Sequence, residues 1–170
     1  MPMRSNPPVS TTADHTTPRP GVDGLVGVFR TLADQHTEVA GLFEQVKASP
    51  ESRALLWPRI RRELVSHEHS EVRELYPVLR QLEETRALAD HHDQEARELD
   101  ALIARLDALD ITSDEWTEKF ELLVKTVLHH AKSEEEAKIF PIAQQALGEA
   151  RAIELDAKVL AVKQKLAAAN

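Results

Sequence analysis

Four histidines fall on the apolar stripes of four successive helical segments, and two glutamates follow them by one turn. His36 lies four residues after Leu32 and seven before Phe43. His67 lies three after Leu64, with Glu71 four further on. His92 lies seven before Leu99 and eleven before Ile103. His130 lies three after Val127, with Glu134 four later. Residues three or four apart share a helix face, so each histidine is expected on a core stripe. A single core histidine is ordinarily a hydrogen-bonded structural residue, and H-x-x-x-E spacings are common in charged helices. The conjunction is different. Buried charges are expensive unless paired or bound to a metal, so His36, His67, Glu71, His92, His130 and Glu134 together would make a poor core without a cation. Structural zinc favours four tetrahedral ligands, often thiolates, and the chain has no cysteine. Magnesium and calcium favour all-oxygen shells. Six imidazole and carboxylate groups suit two iron ions, with manganese or zinc as alternative occupants.

Long amphipathic helices must position these groups. Residues 1–20 hold five of the nine prolines among Ser, Thr and Asn and are expected to be a disordered tail. His15 falls there and is given no role. A first helix is predicted over about 23–47, with Phe29, Leu32, Val39 and Phe43 on one stripe. Ser49-Pro50-Glu51 opens a second, over about 51–82, in which Pro58 and Pro77 should introduce bends. A third is predicted over 84–109. Thr112 with Glu115 fits a capping box that opens a fourth, which Gly148 would end. Residues 149–170 read as an Ala- and Lys-rich helical extension. Short connections between such helices imply an all-α, up-down-up-down four-helix bundle over 21–148, a scaffold that builds metal sites from facing core positions.

Composition narrows the function. The net charge is −8 and no basic stripe interleaves with aromatics, so no nucleic-acid partner is expected. No apolar run approaches the ~18 residues of a membrane span, and no apolar leader is evident. A cytoplasmic protein, monomer or homodimer, is expected.

The segment His67-Glu68-His69-Ser70-Glu71, running on to Leu75-Tyr76-Pro77, resembles the H-x-x-x-E…YP signature of hemerythrin-like (HHE cation-binding) domains. His129-His130-Ala131-Lys132-Ser133-Glu134, running on to Ile139-Phe140-Pro141, resembles the second signature, H-x-x-x-E…FP. His36 in Asp34-Gln35-His36 is similar to the family's first-helix histidine, and His91 or His92 to that of the third helix. The resemblance implies an oxo- or hydroxo-bridged non-haem di-iron centre with Glu71 and Glu134 as bridging carboxylates. Three alternatives stay open. Ten residues separate His67 from Pro77 but eleven separate His130 from Pro141, so a one-residue bulge in the fourth helix would make Glu135 the ligand. His129 could also replace His130. In the third helix, His91 with Glu95 is the alternative to His92. Glu68, His69, Glu135 and Glu136 are otherwise expected to be solvated or to support the ligands from outside. Tyr76 is expected to pack or to donate a hydrogen bond, and Trp57 and Trp116 to pack.

The set is one histidine short of the five in oxygen carriers. The expected role is to bind or sense O2, NO, iron or redox state, with turnover of peroxide or oxygen by a di-iron enzyme as the alternative.

Overall fold

The computed structural model describes Arg19 and residues 21–169. Apart from Arg19, the expected tail and His15 lie outside the described residues. The described residues form five long helices and no strand.

Helix α1 is Gly27–Ala48. A 3-10 turn, Pro50–Ser52, leads into α2, which runs without a break over 53–79. The third helix starts later than expected. A single turn, Arg86–Ala89, precedes α3, His92–Ala108. Thr85 accounts for the interruption, because its buried hydroxyl donates to the Leu79 carbonyl at 2.6 Å and ties the turn to the end of α2. Helix α4 spans 114–147. Ser113, not Thr112, caps it: its Oγ accepts the Trp116 N–H at 3.1 Å. Thr112 is engaged by Asp110, and Glu115 pairs with Arg105 rather than closing a capping box. Gly148, at φ +79°, ends α4, and α5 follows as Glu149–Ala169.

Both α2 and α4 carry a widened stretch, Glu71–Leu75 and His129–Ile139. The cause is local. Pro77 and Pro141 have no N–H for the carbonyl four residues back, and a proline ring presses against that carbonyl. The preceding turns loosen to i→i−5 bonds: the Tyr76 N–H donates to the Glu71 carbonyl, and the Phe140 N–H to that of Glu135.

The apolar core is split in two. One cluster contains Phe29, Leu32, Leu75, Tyr76, Ala89, Ile139 and Phe140. The other contains Val39, Phe43, Leu64, Leu99, Trp116 and Leu123. On α1, α2 and α4 the candidate histidine falls between residues of the first cluster and residues of the second, and His92, at the start of α3, falls between Ala89 of the preceding turn and Leu99. Helix α5 packs along α1 and α2 and adds Ala152, Leu155 and Val159 to the first cluster.

Candidate metal centre

The polar layer between the two clusters contains His36, His67, Glu68, Glu71, His92 and Glu135, all buried, and His130, half-buried. Helix α1 supplies one of these groups, α2 three, α3 one and α4 two.

The imidazoles turn Nε2 inward. His36 Nε2 lies 3.2 Å from His67 Nε2 and 3.1 Å from Glu135 Oε2. His67 Nε2 lies 3.3 Å from Glu71 Oε2. His92 Nε2 lies 3.1 Å from Glu68 Oε1 and 3.6 Å from Glu71 Oε2. His130 Nε2 lies 3.4 Å from Glu135 Oε1. Glu135 therefore reaches His36 with one oxygen and His130 with the other, while one oxygen of Glu71 lies between His67 and His92.

Three of the rings are held from behind. The Nδ1–H of His36 donates to Glu136 at 2.9 Å, and Glu136 in turn accepts from Lys132. The Nδ1–H of His67 donates to Gln35 Oε1 at 2.7 Å. His130 Nδ1 faces Glu95 at 3.2 Å. A partner on the outer ring nitrogen fixes the tautomer that leaves Nε2 free for a metal. The His92 ring is held differently, stacked on Tyr76 with centroids 3.3 Å apart. The Tyr76 hydroxyl donates to Glu135 Oε1 at 2.6 Å.

The groups fall into two sets, Glu68, Glu71, His92 and His130, and His36, His67 and Glu135, with the donor atoms of each set within 4.8 Å of one another. Several of those atoms are buried without a hydrogen bond: Glu68 Oε1, both Glu71 oxygens, both His92 nitrogens and Glu135 Oε2. His92 Nε2 and Glu68 Oε1 are 3.1 Å apart, yet their mutual orientation is not that of a hydrogen bond. Leaving such groups unsatisfied costs about 1–3 kcal/mol each, more when charged. Donors that converge on a common point without bonding each other are arranged for a cation.

The chain matches the hemerythrin HHE cation-binding domain over residues 28–143. It belongs to that family. No curated protein and no solved structure matches it. The HHE domain implies cation binding, and the nitrogen and oxygen donors fit a site for iron.

Within this HHE domain the structure brings together His36, His67, Glu71, His92 and His130, and it leaves Glu134 out. Glu134 instead pairs with Lys138 at 3.2 Å and faces the exposed His129 at 3.4 Å. Its place is taken by Glu135, which has no exposed surface. The widened stretch from His129 explains the change, since a turn closed by i→i−5 bonds needs more residues than the 3.6 of an α-helix. Glu68 and Glu136, expected to be solvated or to support the ligands from outside, are buried at 4% and 6% exposure, Glu136 supporting His36 from outside and Glu68 entering the layer itself. Glu68 could have been found from the burial of α2 on two flanks, which a four-helix reading omits. Of the two adjacent histidines in the third helix, His92 enters the layer and His91 is exposed.

Without metal the layer is electrostatically frustrated. Burial, together with the Glu135 charge, pushes Glu68 up to about 7. Burial, then Glu135 and Glu68, pushes Glu71 well above the carboxylate range. Burial pushes His92 down to about 4. Burial would raise Glu135 too, but His130 and His36 outweigh it and hold that carboxylate well below the ordinary value.

Proposed function

We propose that the chain is a non-haem di-iron protein that binds or senses a small ligand such as O2 or NO, or iron or redox state. One observation carries this reading: seven donor residues from four helices converge in one layer, and many of their inward atoms lack hydrogen bonds. The distances support one ion held by His36 and His67 and a second by His92, His130 and Glu68, with Glu71 and Glu135 reaching both. Two irons held there would supply redox chemistry and an open coordination position.

The residues around that layer have their own tasks. Gln35, Glu95 and Glu136 orient three imidazoles, and Tyr76 fixes Glu135. Leu32, Tyr76 and Phe140 cover the layer with apolar surface on one side, and Val39 and Leu64 flank it on the other. The up-down-up-down reading is supported by the order in which the chain visits the two apolar clusters: α1, and the segment from Ala89 into α3, pass from the first to the second, α2 and α4 the reverse. No described helix is long and apolar enough to cross a membrane; a cytoplasmic site of action, as monomer or homodimer, belongs to the same proposal.

Iron analysis of protein expressed with ample iron tests it, together with a near-ultraviolet spectrum. About two irons per chain are expected from the ligand set. Protein without metal, or with a single zinc that extra iron does not displace, sinks the reading.

A further inference from the structure

A cavity of about 310 Å³ adjoins the polar layer on the side of the Trp116 cluster. Its inner end is formed by His36, His67, Glu68 and His130. Its walls are apolar, with Val39, Leu64, Leu99 and Val127. Its mouth lies between α3 and α4, where Glu98, Leu122 and Lys125 are exposed.

Size sets the class of occupant. A diatomic molecule needs little more than one water's share of liquid, about 30 Å³, whereas an apolar cavity of about 150 Å³ accepts benzene. This cavity has roughly twice the latter volume, within the range of small-molecule sites. Charge narrows the class. Charges of both signs line the cavity, Glu68, Glu95 and Glu98 against Lys125 and the imidazoles of His36, His67, His129 and His130, so no single sign of ligand charge is matched. A neutral ring suits the walls. A hydroxyl suits the inner end, which is the polar one, formed by His36, His67, Glu68 and His130.

The geometry points to a binding site for a neutral monocyclic phenol, its ring among Val39, Leu64, Leu99 and Val127 and its hydroxyl toward Glu68 and the metal layer. Only the hydroxyl end rests on the di-iron reading; the apolar walls stand without it.

The test is calorimetric titration of the metal-loaded full chain with phenol, and with toluene for comparison. Saturable one-to-one binding is expected, with phenol the tighter. Val127→Phe, which fills the wall, and Leu122→Trp, which obstructs the mouth, should each weaken phenol at least tenfold while iron content stays as in the parent. Leu122 is 47% exposed, so its variant remains informative if the wall variant fails to fold. No saturable phenol binding overturns the proposal. Undiminished binding in the variants, or phenol no tighter than toluene, overturns it as well. If the protein takes up no iron yet binds phenol and loses it in both variants, the cavity stands and the di-iron reading falls.

Discussion

Glu71 and Glu135 occupy equivalent places in two different helices. Each stands six residues before a proline, Pro77 or Pro141, and each gives its backbone carbonyl to the N–H five residues on. Counted back from the prolines, the two motifs superpose. Counted forward from His67 and His130, they differ by one residue.

This register gives the first prediction. Glu135→Ala should reduce iron affinity by more than the roughly 10–100-fold that loss of a supporting residue costs, because the set with His36 and His67 loses its only carboxylate and His130 loses the oxygen that faces it. Glu134→Ala should leave iron content unchanged, since Glu134 bonds Lys138 at the surface. Metal analysis of the two proteins side by side decides it. Loss of iron from the Glu134 variant alone would refute the observed register.

Why one position was legible and the other was not is a matter of helical phase. His36 and His67 follow apolar residues at ordinary α-helical spacing, Glu71 stands one such turn after His67, and His92 precedes Leu99 and Ile103 at the same spacing, so spacing alone carries them inward. Glu135 lies beyond the start of a widened stretch, where a 3.6-residue phase no longer applies. Glu68 has another cause. Helix α5 packs along α2, and Lys163 reaches Glu63 at 2.6 Å and Ser66 at 3.3 Å. With α5 on one flank and α3 on the other, α2 buries Ser66, His67, Glu68, Ser70 and Glu71 together. A single-stripe reading of that helix leaves Glu68 in solvent. The late start of α3 depended on the Thr85 contact with Leu79, which no periodicity signals.

The second prediction concerns pH. In the metal-free protein Glu68 and Glu71 titrate above their unfolded values, mainly through burial. Their contribution to stability is full below about 4.5 and is lost as pH rises through about 7 for Glu68. His92 acts oppositely: pushed down to about 4, it contributes fully above its unfolded value near 6.5 and loses that contribution as pH falls. Above 6.5 the glutamate effect is joined by His36 and His130: burial would lower both, but Glu135 holds them above the ordinary imidazole value, and their contribution is likewise lost as pH rises. The metal-free protein should therefore lose stability as pH rises from about 6.5 to 8. Bound metal keeps those carboxylates ionised, so the loaded protein should not share the decline, and metal uptake below about pH 7 should release protons. Thermal melts across this range, with and without metal, provide the check. A metal-free melting temperature that climbs with pH would contradict it.

The third prediction separates the two contacts of Tyr76. Its ring stacks on His92 and its hydroxyl bonds Glu135. Tyr76→Phe keeps the ring and removes the hydrogen bond. It should lower iron affinity by about 10–100-fold, the usual effect of losing a group that orients a ligand, with a stability cost of about 1–2 kcal/mol. Tyr76→Ala also removes a fully buried ring and should cost about 3–5 kcal/mol. Iron titrations and denaturant unfolding distinguish the two. Equal iron affinity in Tyr76→Phe and the parent would mean the hydroxyl does not position Glu135.

The last prediction tests whether α5 is part of the working fold, using two glycines of α1. Gly27 has φ +55°, and a Cβ added there would lie 2.5 Å from the backbone carbonyl of Ala152 in α5. The backbone fixes the position of the Cβ, and the carbonyl it meets is main chain, so relief requires the two helices to move apart. The left-handed backbone adds about 1–2 kcal/mol for an L-residue. Gly41 lies inside the same helix, exposed, with nothing within 4 Å of an added Cβ. There alanine only removes the entropic cost of glycine, worth about 0.5–1 kcal/mol in favour of folding. Gly27→Ala should thus destabilise by about 2 kcal/mol or more, summing the backbone term and the helix displacement, while Gly41→Ala should stabilise. Because Gly27 is remote from His36 along α1, neither change should alter the iron content of folded protein. Opposite signs in denaturant unfolding, with equal metal content, are the expected result. A Gly27→Ala protein as stable as the parent would show that α5 does not press on α1 in solution.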